Sequence, residues 1–422
     1  MADIRMAVTT VTLPTTTPAT FEVTITNLGW TPKACLVVAT NAQNDSGTPQ
    51  DSAALSFGGT DGTNEWVCSV RDTHGVNPSD TDRRSASDET IMLIDNAGAP
   101  FFEATGVGDG SGENPGPFAD SWRFDATVVP ADARIAKVVF LGGGDLSVKA
   151  DITPVLGVED SATAITTVGF EPHLVVTAGI GDAIGDAALT QCIFTVGFVH
   201  NDVDISQQYI SVSGLHSQSP TDNTQRVDNA KANAEVTSGA VGWSAELEAF
   251  DSSGFDVRVR DGASGGDKFG YLALNVGEGR AWADSIDSPT DAGADWDVTA
   301  PGFLPVGVML MESFLTAENT TTVDATAFAL AFTAFDGVRD HTCGISSADA
   351  VSTINTQSKS NAQALDFDRP DGTNEFDGSS PSLESNGWKM TNANLVDADT
   401  TARKWIGFAI GASASGSFFI TH

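Results

Sequence analysis

The chain has 422 residues and a formal charge of −35, from 56 acidic residues against 21 Lys and Arg. This balance argues against DNA or RNA partners, because nucleic-acid affinity rests on cationic side chains that release phosphate counterions. At roughly 100–200 residues per domain the length allows two to four domains, and nowhere do eighteen apolar residues run together to suggest a membrane span.

Aspartate supplies 41 of the acids and lysine only 8 of the bases, so the expected surface is dense in short, hydrated carboxylates. Such charge aids solubility but opposes compaction by self-repulsion, a cost that salt screens. A halophilic or marine setting is one expectation, and bound divalent cations are the competing way to offset the charge. The first six residues are followed by Thr, Val and Pro with no apolar core of a secretory signal, so synthesis in a cytosol is expected. Residues 1–20 read as an extended arm able to add to a neighbour's sheet edge.

Gly29-Trp30-Thr31-Pro32 comes next, and it returns as Gly169-Phe170-Glu171-Pro172 and Gly302-Phe303-Leu304-Pro305. The prolines are 172 − 32 = 140 and 305 − 172 = 133 residues apart, far above the ~20–50 residues of solenoid repeats. Three related domains in tandem are therefore expected, over 21–157, 158–294 and 295–422. Any catalytic residue must then be reconciled with its two counterparts.

After each proline a short apolar run predicts a buried strand: Ala34–Val38, Leu174–Thr177 and Val308–Met311. A period-two strand follows, with Ala53, Leu55 and Phe57 matched to Phe194, Val196 and Phe198 and to Phe328, Leu330 and Phe332. Four residues beyond each phenylalanine stand Asp61, Asp202 and Asp336. Turn aspartates accept hydrogen bonds from nearby backbone amides, and the same three residues are the calcium candidates. Cys68 and Cys343 align with Tyr209, and Cys35 with Val175 and Val308, so the four cysteines read as free, buried thiols.

Residues 71–120, 213–253 and 346–386 are polar and differ between copies, the pattern of connections that carry recognition on a rigid scaffold. Beyond them Trp122, Phe255 and Trp388 each open a strand. Apolar strands then lead to expected closing strands at Leu146–Asp151, Arg280–Ile286 and Ser417–Thr421. Numerous short strands with Gly, Pro, Asn and Asp turns predict an all-β fold: three tandem antiparallel β-sandwich, jelly-roll-like domains.

No motif carries chemistry. Gly262-Ala263-Ser264-Gly265-Gly266 fits G-x-S-x-G but lies between strands, where a nucleophile elbow needs a strand-to-helix turn. Gly142-Gly143-Gly144-Asp145 lacks the Lys-Ser/Thr of a phosphate loop. The histidines His74, His173, His200, His216, His341 and His422 include no i, i+4 pair. Asp61–Glu65, Asp371–Glu375 and Asp109–Glu113 crowd oxygen ligands without EF-hand spacing. No catalytic residue and no cofactor is expected, with calcium the one ion in play.

The later motifs are Ser385-Asn386-Gly387-Trp388 and Thr401–Gly411 in copy three, and Ser253-Gly254-Phe255 with Tyr271–Leu274 in copy two. Together with the opening Gly-aromatic-x-Pro they resemble a tandem β-sandwich repeat domain of tailed-bacteriophage and prophage virion structural proteins. Copy one departs from it over Ala131–Leu141, which lacks the Arg-Lys-aromatic core. The resemblance implies a non-enzymatic protein on the outside of a virus particle, as a capsid decoration or turret or a tail-associated component, with other virion proteins and further copies of itself as partners. It also implies assembly in the host cytoplasm, and contact with a host-surface glycan is a further expectation. The alternative is a carbohydrate-binding module array gaining avidity from three copies; a polysaccharide-degrading enzyme ranks last, since the copies share no catalytic pair.

Overall fold

A computed structural model describes residues 3–17, 19–108, 115–182, 184–202, 204–262, 267–290, 294–319, 327–371, 374–395 and 402–411. All regular structure among them is β. The first stretch contributes β1 (Arg5–Thr12), β2 (Ala19–Thr24), β3 (Pro32–Thr40), β4 (Gln50–Asp51), β5 (Ala53–Thr60), β6 (Glu65–Asp72), β7 (Thr81–Ala86), β8 (Ile91–Ile94), β9 (Pro100–Thr105), β10 (Gly116–Phe118), β11 (Ser121–Val128) and β12 (Ile135–Gly142). Next come β13 (Ser147–Ile152), β14 (Ala162–Ile165), β15 (Leu174–Gly179), β16 (Leu189–Thr190), β17 (Cys192–Asn201), β18 (Ile205–Gly214), β19 (Asn223–Asp228), β20 (Asn233–Thr237), β21 (Ala240–Asp251), β22 (Gly254–Asp261) and β23 (Gly270–Asn275). The last are β24 (Ala281–Asp287), β25 (Ala294–Val298), β26 (Pro305–Glu312), β27 (Ala327–Phe335), β28 (Asp340–Ala348), β29 (Thr356–Asn361), β30 (Asp366–Asp368), β31 (Asn374–Glu384), β32 (Gly387–Leu395) and β33 (Lys404–Gly411).

Six antiparallel sheets result, consistent with several β-sandwich domains. Three large sheets share one strand order: β1-β12-β3-β5-β6-β7, β13-β23-β15-β17-β18-β19 and β24-β33-β26-β27-β28-β29. Each has a smaller companion: β10-β11-β9-β8 with β2 on β11, then β14-β22-β21-β20, then β25-β32-β31-β30.

The strands expected to close copies one and two instead open the sheets that follow them. β13 pairs along its length with β23, and β24 with β33. β1, inside the expected N-terminal arm, takes the same place on β12. The reason is burial: Ile4, Met6 and Val8 alternate into the core, so this segment gains more from its own sheet than from remaining extended. The third expected closing strand, Ser417–Thr421, lies outside the described residues, as do Ala263–Gly266 and Asp109–Glu113 in part or whole.

Both faces of each large sheet are buried. On β3, Cys35 and Val37 face the companion sheet, whereas Leu36 and Val38 face a second core shared with the other repeats. Val308 and Leu310 divide from Met309 and Met311 in the same way. This two-sided burial explains the unbroken apolar runs. Phe57 stacks on Phe332 with centroids 5.1 Å apart, Phe198 meets Phe408 edge-on at 5.1 Å, and the Trp66 indole N–H donates to the Tyr271 carbonyl at 2.8 Å. The three large sheets thus pack around one shared core.

The three polar stretches expected as variable connections are largely strand. They form β7–β10, β19–β21 and β29–β31. Their Ser, Thr and Asn side chains are buried where repeats meet, among them Thr81, Asn223, Thr356 and Ser358. Polarity there reflects hydrogen bonding across seams, which a single repeat cannot reveal.

Candidate functional site

The seams between repeats hold many of the buried polar groups among the described residues. Pairing register first corrects the alignment of copy two. Cys35 pairs with Thr60 and Val308 with Phe335, but Val175 pairs with Val199. The residue following each partner is Asp61, Asp336 and His200, so His200, not Asp202, is the third counterpart. The same shift sets Ile210 opposite Val196, where copies one and three set Cys68 and Cys343 opposite their phenylalanines. The hairpin joining β17 to β18 is longer, and a slide of two residues keeps each side chain on its face.

The three calcium candidates therefore do not form a set. One Asp61 carboxylate oxygen accepts from the backbone N–H groups of Thr63 and Asn64 at 2.8 and 2.7 Å. The other reaches the next repeat and accepts from the Ala150 N–H of β13 at 3.0 Å. Asp336 repeats the device: Oδ1 accepts from Val338 and Arg339 at 2.9 and 2.7 Å, and Oδ2 from the Val8 N–H of β1 at 3.1 Å. His200 is partly buried beside β24, with Nδ1 lacking a hydrogen-bond partner, and burial lowers its pKa. Asp202 is exposed. No group of three or more His, Cys, Asp or Glu able to hold a metal ion occurs among the described residues.

This arrangement answers a physical problem. β1, β13 and β24 are edge strands of the large sheets, and unpaired edge N–H groups invite pairing with other chains. On β13 and β1 an aspartate from the adjacent repeat occupies a backbone N–H. The opposite edges are covered by exchange: β4 of the first repeat pairs with β29 of the third, and β16 of the second with β7 of the first. Asn319 of the third donates to the Val227 carbonyl in β19 at 2.8 Å. The exchange is cyclic.

The turns after β6, β18 and β28 interlock in the same cyclic sense. Ser79 exchanges backbone hydrogen bonds with Ser217 and Gln218, Thr221 with Ala350 and Val351, and Ile354 with Gly75 and Val76, all at 2.8–3.1 Å. Asp72 lies beside them with 1% exposure. The Ser347 hydroxyl of the third repeat donates to its Oδ2, while Oδ1 is buried with no hydrogen-bond partner. Burial pushes the Asp72 carboxyl up to about 7, with the Asp80 charge adding to it and the Ser347 bond opposing it. Burial likewise raises Asp82 to about 6, and Glu89 to about 9 with help from Glu103 and Glu65. Glu65 is buried but satisfied by Thr90, Thr105 and the Gly106 N–H. The four cysteines are free and buried, and burial pushes every thiol up, so none is a ready nucleophile.

The recurring motifs meet each other. Gly29, Gly169 and Gly302 adopt φ of 73°, 80° and 71°, the left-handed region that glycine enters without cost to a Cβ. Their N–H groups donate to Asp120 Oδ1, the Ser253 carbonyl and the Asn386 carbonyl, in the turns that precede Trp122, Phe255 and Trp388. The aromatic after the glycine lies over a strand end: a Cβ on Gly142 would fall 2.4 Å from Trp30, and one on Gly411 2.3 Å from Phe303. Comparisons with family models, curated proteins and solved structures found no match.

Proposed function

We propose that this chain is a non-enzymatic structural component of the outside of a tailed virus particle, a capsid decoration or turret or a tail-associated protein, built as three tandem jelly-roll-like β-sandwiches. The observation that carries the reading is the shared core: three large sheets close on one another within a single chain, with every large-sheet edge met by a neighbouring repeat. A body of this kind has the geometry of a trimer without needing to assemble one, and it suits a position of local threefold symmetry on a particle surface. The motif resemblance supports the same class. The acidic surface suits a protein that must stay clear of the packaged nucleic acid.

The carbohydrate-binding alternative draws less support. The large apolar side chains exposed among the described residues are Val155, Val158 and Val338, not aromatics that stack on sugars, and Trp30 and Phe303 pack on glycines. The test is to purify particles from cells carrying the gene and locate the protein by mass spectrometry and antibody-labelled electron microscopy. Recovery on the capsid or tail is expected. Absence from particles, with the protein left in the soluble lysate, overturns the reading, and selective glycan-array binding in that case favours the alternative.

A further inference from the structure

Register places Arg84, Arg226 and Lys359 at one position of the three large sheets, opposite Ser69, Ser211 and Gly344. The arginines make ion pairs with Asp186 and Asp228. Lys359 differs in being 7% exposed and held between two aspartates that are themselves buried, Asp366 at 6% and Asp368 at 4%. Its ammonium donates to Asp366 Oδ1 and, at 2.8 Å, to Asp368 Oδ1. Asn361 Nδ2 donates to Asp366 Oδ2. Asp368 Oδ2 is buried with no hydrogen-bond partner, and burial raises that carboxyl's pKa.

Two carboxylates and one ammonium leave an uncompensated negative charge among buried side chains, and an isolated buried charge costs several kcal/mol or more. The adjoining void, lined by Ser346, Gln357, Lys359 and Asp368, offers about 10 Å³, room for at most one water molecule beside the group. The segment exchanged from the first repeat lies across the group. Gly47 there has φ of +70°, and a Cβ on it would stand 2.8 Å from both Asn361 Nδ2 and Asp366 Oδ2. A nucleophilic nitrogen, an acyl carbon polarised by an amide donor and a second acid in contact with the nitrogen are thus enclosed together.

We propose that Lys359 and Asp366 condense in the folded chain to an isopeptide bond, tying β29 of a large sheet to β30 of its companion. The ammonium passes one proton to the Asp366 carboxylate, and the free amine Nζ attacks Asp366 Cγ. Asn361 stabilises the oxygen on which charge develops. The Asp368 carboxylate takes the surplus proton from Nζ and hands it to the hydroxyl, the C–OH bond breaks, and the hydroxyl leaves as water, with Asp368 ionised again. The balance is one ammonium and one carboxylate to one amide and one water, with no oxidant or reductant. Enclosure supplies the drive, since well-oriented intramolecular partners reach effective concentrations of ~10⁵–10⁸ M and the product removes a buried ion pair. Arginine in the other repeats keeps its charge and takes no part in such a step.

The experiment is intact-mass and peptide mass spectrometry on the folded full chain. The expected mass is one water below the sequence mass, with one branched peptide joining Lys359 to Asp366, and K359R returns to its full sequence mass. D368A forms the bond at least ~10²-fold more slowly, the usual contribution of a positioned acid–base group. A folded wild-type chain at full sequence mass overturns the proposal. So does a water loss that persists in K359R, which would mark cyclisation at an Asp-Gly pair such as Asp61-Gly62. An unchanged rate in D368A would remove Asp368 from the step.

Discussion

Asp72→Asn tests whether the seam between the first and third repeats carries a buried proton. The Asp72 carboxyl rises from an ordinary value of 3.8 to about 7 in the folded chain. A raised acid holds its proton in the folded state while the unfolded chain has lost it, so stability falls as pH climbs from about 4 through about 7 and the loss is complete above that. Three pH units at about 1.4 kcal/mol each give about 4 kcal/mol, an upper figure for the penalty of the ionised group. Asparagine keeps an acceptor for the Ser347 hydroxyl and cannot ionise. Denaturant midpoints of wild type and D72N between pH 4 and pH 9 are the assay. The two curves should coincide near pH 4, separate between about pH 4 and pH 7 and run parallel above that, with D72N the more stable by about 2–4 kcal/mol at pH 9. Glu89 and Asp82 add slopes of the same sign that cancel in the difference. A difference independent of pH would refute the reasoning.

Asp61→Ala and Asp336→Ala should each destabilise by about 1–3 kcal/mol, since each leaves backbone N–H groups without a partner, whereas Asp202→Ala should stay within about 0.5 kcal/mol; thermal melts of the three variants decide. The second repeat expressed alone, from β13 to β23, should be aggregation-prone and bind a hydrophobic dye. Its Phe194, Val196, Phe198 and Ile210 face the shared core, and a monodisperse, cooperatively folding fragment would contradict this. Raising NaCl from 0.1 to about 1 M shortens the screening length from about 10 to about 3 Å, so a chain of formal charge −35 should melt at a higher temperature in the salt. A salt-insensitive melt would mean the charges are already neutralised.

The strands were legible where one residue decides its own environment. Gly29, Gly169 and Gly302 mark a left-handed turn in any context, and the apolar runs after Pro32, Pro172 and Pro305 can only be buried. Pairings across repeats were not legible, because they depend on which of several similar strands lies nearest in space. β13 and β24 read equally well as the end of one copy or the start of the next, and only pairing decides. Asp202 was misassigned for a related reason: spacing from a phenylalanine is a poor ruler when one hairpin is longer than its fellows. The polar stretches misled most. Buried Ser, Thr and Asn signal a hydrogen-bonded contact with another surface as readily as they signal solvent, and a sequence does not distinguish the two.

That ambiguity bears on where partners bind. The large-sheet edges lie against neighbouring repeats, with exchanged segments on β7 and β29 and single contacts on β1, β13 and β19, and their inner faces are spent on the shared core. What remains open is outward: the companion sheets, whose edge strands β2, β14 and β25 alternate between exposed and buried positions, and the hairpin tips. The tip at Val338 is 81% exposed and directly follows the Asp336 cap, so a contact made there would act on β1 of the adjoining repeat through one side chain. An attachment that used the tips would thus load the seams first, and the cyclic exchange would spread that load over all three repeats.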